Sequence, residues 1–265
     1  MNDKFIEQNI YSKDGKLLLA KGQKISQDII RKIKKYDLEL IQNDLEQDSI
    51  KLPVITESLK KKFNIRNNNL LNNSSELLTK IIFDSKMQPW WLYVNALGNY
   101  IDWLYSHSID VALISLMIAF KLKFKPHELW NIGIGSFLHD VGKLLIPKAI
   151  IEKKGSLNEQ EWILMRQHCE LGKSSLQSCN LPQECLDIVS QHHERMDGSG
   201  YPNGLTDKEI SYMAKIVMIA DVIDAVTSYR PYKRIQNMNE ALKFLKKTDS
   251  QFSKEIIQII EGLFA

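Results

Sequence analysis

The decapeptide Ile134-Gly135-Ser136-Phe137-Leu138-His139-Asp140-Val141-Gly142-Lys143 governs the reading of this chain. Its first five residues are a short, largely apolar stretch, and a histidine and an aspartate follow directly. The pattern predicts that His139 and Asp140 sit on the inner face of a helix. Burying an imidazole and a carboxylate there is costly unless they are paired or bind a metal. Lys143 falls four residues after His139, which is the same face of a helix.

Working outward, the remaining histidines are His107, His127, His168, His192 and His193. The adjacent His192-His193 pair stands beside a glycine-rich stretch, Asp197 to Gly204, and has little structural purpose there. His127 follows Lys125-Pro126 and reads as an exposed residue in a first helical turn. Asp221 lies in the apolar run Ile216–Ile223, and Asp224 follows at helical spacing, so this run reads as helix rather than strand. Several histidines with a few carboxylates suit Fe, Mn or Zn rather than Mg or Ca, which prefer all-oxygen shells.

Apolar residues recur at spacings of three and four through Ile101, Leu104, Tyr105, Val111 and Ile114, the period of a helix packed on one side. Asn158 with Glu161 three residues on is a capping-box pattern. No alternating strand pattern follows residue 90, so this part is mainly α. Before it, Asp14-Gly15 is a turn signal between Ile10-Tyr11 and Leu17–Ala20. Ser26 can cap a helix through Lys35, and Leu38–Ile41 reads as a strand. Residues 43–75 are polar and Asn-rich and read as a linker with weak helices. The expected organisation is a small N-terminal α/β unit with its linker over 1–85, then a helical domain over 86–265.

The chain carries 35 basic and 32 acidic residues among 265, a net charge of +3. Residues 1–90 hold +4 and residues 91–265 hold −1. Neither part carries the basic field of a nucleic-acid-polymer binder, so any phosphate recognition is local. Cys169, Cys179 and Cys185 fit no metal or redox spacing and read as reduced core thiols in a cytoplasmic protein. The N-terminus shows no signal-peptide core. Val111–Phe120 is too short for a membrane span and reads as a core helix.

Four stretches resemble one family, the HD-GYP phosphodiesterases of the wider HD superfamily of metal-dependent phosphohydrolases. They are His107-Ser108 with Val111-Ala112, Leu138 to Lys143, His192 to Pro202, and Ala220 to Tyr232. The resemblance implies a helical fold and hydrolysis of cyclic di-GMP to pGpG, and in some members on to GMP, by water activated at a dinuclear centre of divalent metal, Fe or Mn. Carried over, it implies one metal on His107, His139, Asp140 and Asp221 and a second on Asp140, His168, His192 and His193, with Asp140 bridging. Lys143 would face the scissile phosphate, and Arg230 and Lys233 would hold substrate phosphates. Gly198, Gly200 and Gly204 would shape the loop, and Tyr201 would line the groove.

The chain departs from some members at one position. Where they place a glutamate for a third metal, four residues before the first histidine, it has Trp103. Asp102 points about 100° away on a helix. The departure implies two metals and bears on how readily pGpG is cleaved. Two other functions fit the same residues: a cyclic-dinucleotide-binding signalling module whose output is a protein partner on the N-terminal unit, and a phosphodiesterase for another cyclic dinucleotide. A homodimer is compatible with all three.

Overall fold

The computed structural model describes residues 10–11, 17–19, 59, 68–228, 237–248 and 250–264. The chain divides into two compact units, 1–53 and 54–265. In the first, strands β1 (Ile10–Tyr11) and β2 (Leu17–Leu19) pair antiparallel, Ile10 opposite Leu19 and Tyr11 opposite Leu17. The expected helix from Ser26 and strand over 38–41 lie outside the described residues.

The second unit is helical: α1 (Asn68–Ser85), α2 (Trp91–Tyr100), α3 (Asp102–Lys121), α4 (Pro126–Phe137), α5 (Lys148–Ile151), α6 (Glu159–Arg166), α7 (His168–Leu176), α8 (Gln183–Gln191), α9 (Tyr212–Thr227), α10 (Met238–Lys247) and α11 (Lys254–Phe264). Helix α3 is the central post. It packs against α1, α2, α4, α9 and α11, and Val111, Ile114, Leu116 and Ile118 are fully buried. Trp103–Lys121 is long and apolar enough to cross a membrane, but 78% of its most apolar window lies inside the unit. Its apolar surface is spent on the core, as expected for Val111–Phe120.

The structure moves one boundary. The division expected near residue 85 falls at 53/54 instead, because α1 belongs to the helical unit. Its asparagines face outward, while Leu71, Leu78 and Ile81 recur on one face and are fully buried. Trp90 also packs within this unit, edge-on to Trp130 with ring centres 5.9 Å apart. The capping box at α6 forms as predicted: the Asn158 side chain accepts from the Glu161 N–H at 2.9 Å, and Glu161 accepts from the Asn158 N–H at 2.8 Å.

His139 and Asp140 do not lie on a helix face. Helix α4 ends at Phe137, and the two residues occupy the turn before a 3-10 segment, Val141–Leu145. That segment lies backbone to backbone on α7. A Cβ at Gly142 would come within 1.9 Å of the His168 carbonyl oxygen, so only glycine permits this approach. The close packing brings Asp140 to His168.

Candidate metal centre

Five segments bring the predicted histidines and aspartates together. His107 comes from α3, His139 and Asp140 from the turn after α4, and His168 from the first residue of α7. His192 and His193 follow α8, and Asp221 comes from α9. His107, His139, Asp140, His168 and His192 are at most 3% exposed, and Asp221 is 7% exposed.

Two groups form around Asp140. Its Oδ2 lies 3.5 Å from Nε2 of both His107 and His139. Its Oδ1 lies 3.4 Å from His168 Nε2 and 3.7 Å from His192 Nε2. Asp221 reaches the first group with Oδ1 at 3.2 Å from His107 Nε2, and the second with Oδ2 at 3.9 Å from His193 Nδ1. Within the group Asp140, His168, His192 and His193, and again within His107, His139 and Asp221, one ligand-type atom per residue lies within 4.8 Å of the others.

The opposite ring nitrogens fix the tautomers. His139 Nδ1 donates to the Ser136 carbonyl at 2.7 Å, His168 Nδ1 to the Met165 carbonyl at 2.7 Å, and His192 Nδ1 to the Val189 carbonyl at 3.0 Å. His107 Nδ1 lies 2.6 Å from Asp224 Oδ2. Asp224 therefore orients a site histidine. With each Nδ1 holding its proton, each Nε2 presents a lone pair inward. Burial drives the basicity of His139 and His168 down to about 3, so both rings are neutral. Burial opposes the charge on Asp140, but Lys143 and the imidazoles outweigh it and hold the carboxyl well below the usual range.

This donor set fits divalent metal. Facing lone pairs repel, yet the Nε2 atoms of His107 and His139 stand 3.3 Å apart and those of His168 and His192 3.2 Å apart. Among the described residues Asp140 Oδ1 accepts no hydrogen bond although it is buried. A buried carboxylate oxygen left without a donor is costly, and a cation between it and the imidazoles removes both conflicts. Helices α4, α6 and α8 also turn the negative ends of their dipoles toward this cluster through the carbonyls that hold the rings.

Lys143 folds back, with Nζ 2.5 Å from Asp140 Oδ2, and lines a cavity of about 430 Å³ with His168, His193, Tyr201, Trp103 and Trp162. The Tyr201 ring stacks on His193, centre to centre 4.7 Å at 26°. Gly200 has no room for a side chain, since a Cβ would fall 2.3 Å from the Arg195 nitrogen. Arg230 and Lys233 lie outside the described residues. His127 is exposed in the first turn of α4, away from the cluster. Asp197 is a turn residue, its Oδ1 accepting from the Ser199 N–H at 3.0 Å. Burial raises the Cys169 thiol well above its usual range, and it stays a protonated core residue.

Sequence reasoning missed Glu194. It is fully buried, and its two oxygens accept from the Asn203 and Leu205 N–H groups at 2.7 and 2.9 Å. These bonds hold the Tyr201 loop over the cavity. A signal was present: a glutamate directly after a histidine pair read as part of the site needs donors of its own if buried.

A family model described as an HD domain matches residues 92–256. The chain is 34% identical over 158 residues to a cyclic di-GMP phosphodiesterase of Pseudomonas aeruginosa, covering 59% of this chain and 38% of that protein. It is 32% identical over 158 residues to a 3'3'-cGAMP-specific phosphodiesterase of Vibrio cholerae, covering 58% and 34%. It thus spans little more than a third of the length of these relatives. An HDG"Y"P protein from Bdellovibrio bacteriovorus shares the fold, with a TM-score of 0.57 at 19% identity over 98% of this chain and 95% of the other. With the family model covering more than half its length and both histidine groups assembled on the motif positions, the chain belongs to the HD domain family, in its HD-GYP form.

Proposed function

We propose that this protein hydrolyses cyclic di-GMP to pGpG with two divalent metal ions, Fe or Mn, as cofactors. The observation that carries the proposal is Asp140, whose two oxygens face two separate histidine groups. His107, His139, Asp140 and Asp221 would hold one ion, and Asp140, His168, His192 and His193 the other. Bound there, such ions lower the pKa of water and neutralise phosphate charge. Lys143 places an ammonium between Asp140 and the cavity, where it can pair with the scissile phosphate. Tyr201 keeps its proton, because burial raises its phenol, and it offers the substrate a ring face and a hydroxyl donor. Arg230 and Lys233 are proposed phosphate contacts from the sequence motif.

The relatives' names support the substrate class, and the Vibrio cholerae relative supports a second reading, the mixed guanine–adenine cyclic dinucleotide. The test uses protein purified anaerobically and loaded with Fe(II) or Mn(II), incubated with each cyclic dinucleotide and followed by chromatography, beside His139→Ala. Metal-dependent pGpG that disappears in His139→Ala is expected. Metal-loaded protein that binds the nucleotide without turnover would leave a binding module.

A further inference from the structure

The cavity beside the metal centre has one feature that the phosphate chemistry does not use. Trp162 and Tyr201 both line it, and both rings attract the same guanidinium. Arg166 Cζ lies 5.8 Å from the Trp162 ring centre and 5.1 Å from that of Tyr201. Arg166 does not itself line the cavity and reaches it through these two rings, whereas the cations that do line it are engaged: Lys143 pairs with Asp140 and Lys153 with Glu161, each at 2.5 Å. Arg166 has no acidic partner among the described residues. Trp162 is 46% exposed in α6, a helix with no buried residue, and so gives up its ring area to the cavity rather than to the core.

We propose that Arg166, held over Trp162 and Tyr201, reads a guanine base of the cyclic dinucleotide and makes the site guanine-selective. This rests on the substrate class proposed above and adds the base and the residue that recognises it. Attraction to ring faces holds the guanidinium without consuming its N–H donors. A planar fork of donors pairs with the O6 and N7 acceptors of guanine. Adenine presents a donor amino group where guanine has O6 and loses one of the two bonds. The aromatic rings supply stacking area that any base can use. Arg166 meets the site imidazoles through the Tyr201 ring, which stacks on His193, and this outward position suits a base rather than the scissile phosphate.

The test is calorimetric binding to the Mn(II)-loaded chain of cleavage-resistant phosphorothioate analogues of cyclic di-GMP and cyclic di-AMP. The native chain, Arg166→Ala and Arg166→Gln are compared. The native chain should favour the guanine ligand about 10- to 100-fold, the range of one bidentate base contact. Arg166→Ala should bring the ratio of dissociation constants close to one, and Arg166→Gln should turn it toward adenine. An equal loss for both ligands would make Arg166 a phosphate contact and overturn the proposal. So would an unchanged ratio, or a native chain that binds neither. Turnover of unmodified cyclic di-GMP is measured alongside. Turnover without guanine selectivity sinks this inference and keeps the phosphodiesterase. Guanine-selective binding without turnover does the reverse.

Discussion

Replacing Gly142 with alanine tests whether the metal centre depends on one backbone contact. The new Cβ would lie 1.9 Å from the His168 carbonyl oxygen and 2.6 Å from the Gly172 nitrogen. Both are backbone atoms, so no rotamer change relieves the clash, and the 3-10 segment must part from α7 by about 1 Å. Overpacking of this kind costs about 1–3 kcal/mol and more where backbone must move. At about 2–4 °C per kcal/mol for a unit of this size, a cost of about 3 kcal/mol lowers Tm by roughly 6–12 °C. The same separation draws Asp140 away from His168, now 3.4 Å apart. A misplacement of about 1 Å in a catalytic group is worth about 10²-fold in rate. The assay is thermal melting with metal content and pGpG formation on the same preparation. The matched control is Gly262→Ala in α11, where a Cβ meets nothing within 4 Å and helix propensity favours alanine by about 1 kcal/mol. Gly142→Ala protein that melts with its parent, retains its metal and turns over normally would refute the reasoning.

Three further outcomes are expected. Asp224→Ala removes the acceptor 2.6 Å from His107 Nδ1 and should weaken Mn(II) binding about 10- to 100-fold in a metal titration; unchanged affinity would leave Asp224 a purely structural role. Glu194→Ala deletes the acceptor of two backbone N–H groups and, with charged hydrogen bonds worth about 1.5–3 kcal/mol each, should cost about 3–6 kcal/mol in urea unfolding, with a raised KM as the Tyr201 loop loosens. Leu78→Ala, in α1, should cost about 2–5 kcal/mol as a core truncation, whereas a linker residue would cost almost nothing.

Spacing and composition point only to a His/Asp metal site, and the candidate ligand set, His168 above all, comes from the family resemblance. What the sequence could not yield was how each ring is held, and the structure gives a simple reason. His139, His168 and His192 each stand just beyond the end of a helix and donate Nδ1–H to a last-turn carbonyl, of Ser136, Met165 and Val189. Such carbonyls have no partner within their own helix, so these rings are oriented locally. His107 is different. It lies inside the 20-residue helix α3, where the preceding carbonyls are committed to the helix itself, and its Nδ1 must find an acceptor elsewhere. That acceptor is Asp224, 117 residues away and one turn along α9 from Asp221. Long-range pairing of this kind leaves no local mark in the sequence around Asp224. The same reasoning separates α1 from a linker: its asparagines are visible in the sequence, whereas the partners of Leu71 and Leu78 are set by α3 and α4. Helix ends thus place His139, His168 and His192, and the Asp221–Asp224 spacing on α9 ties His107 to the same cluster.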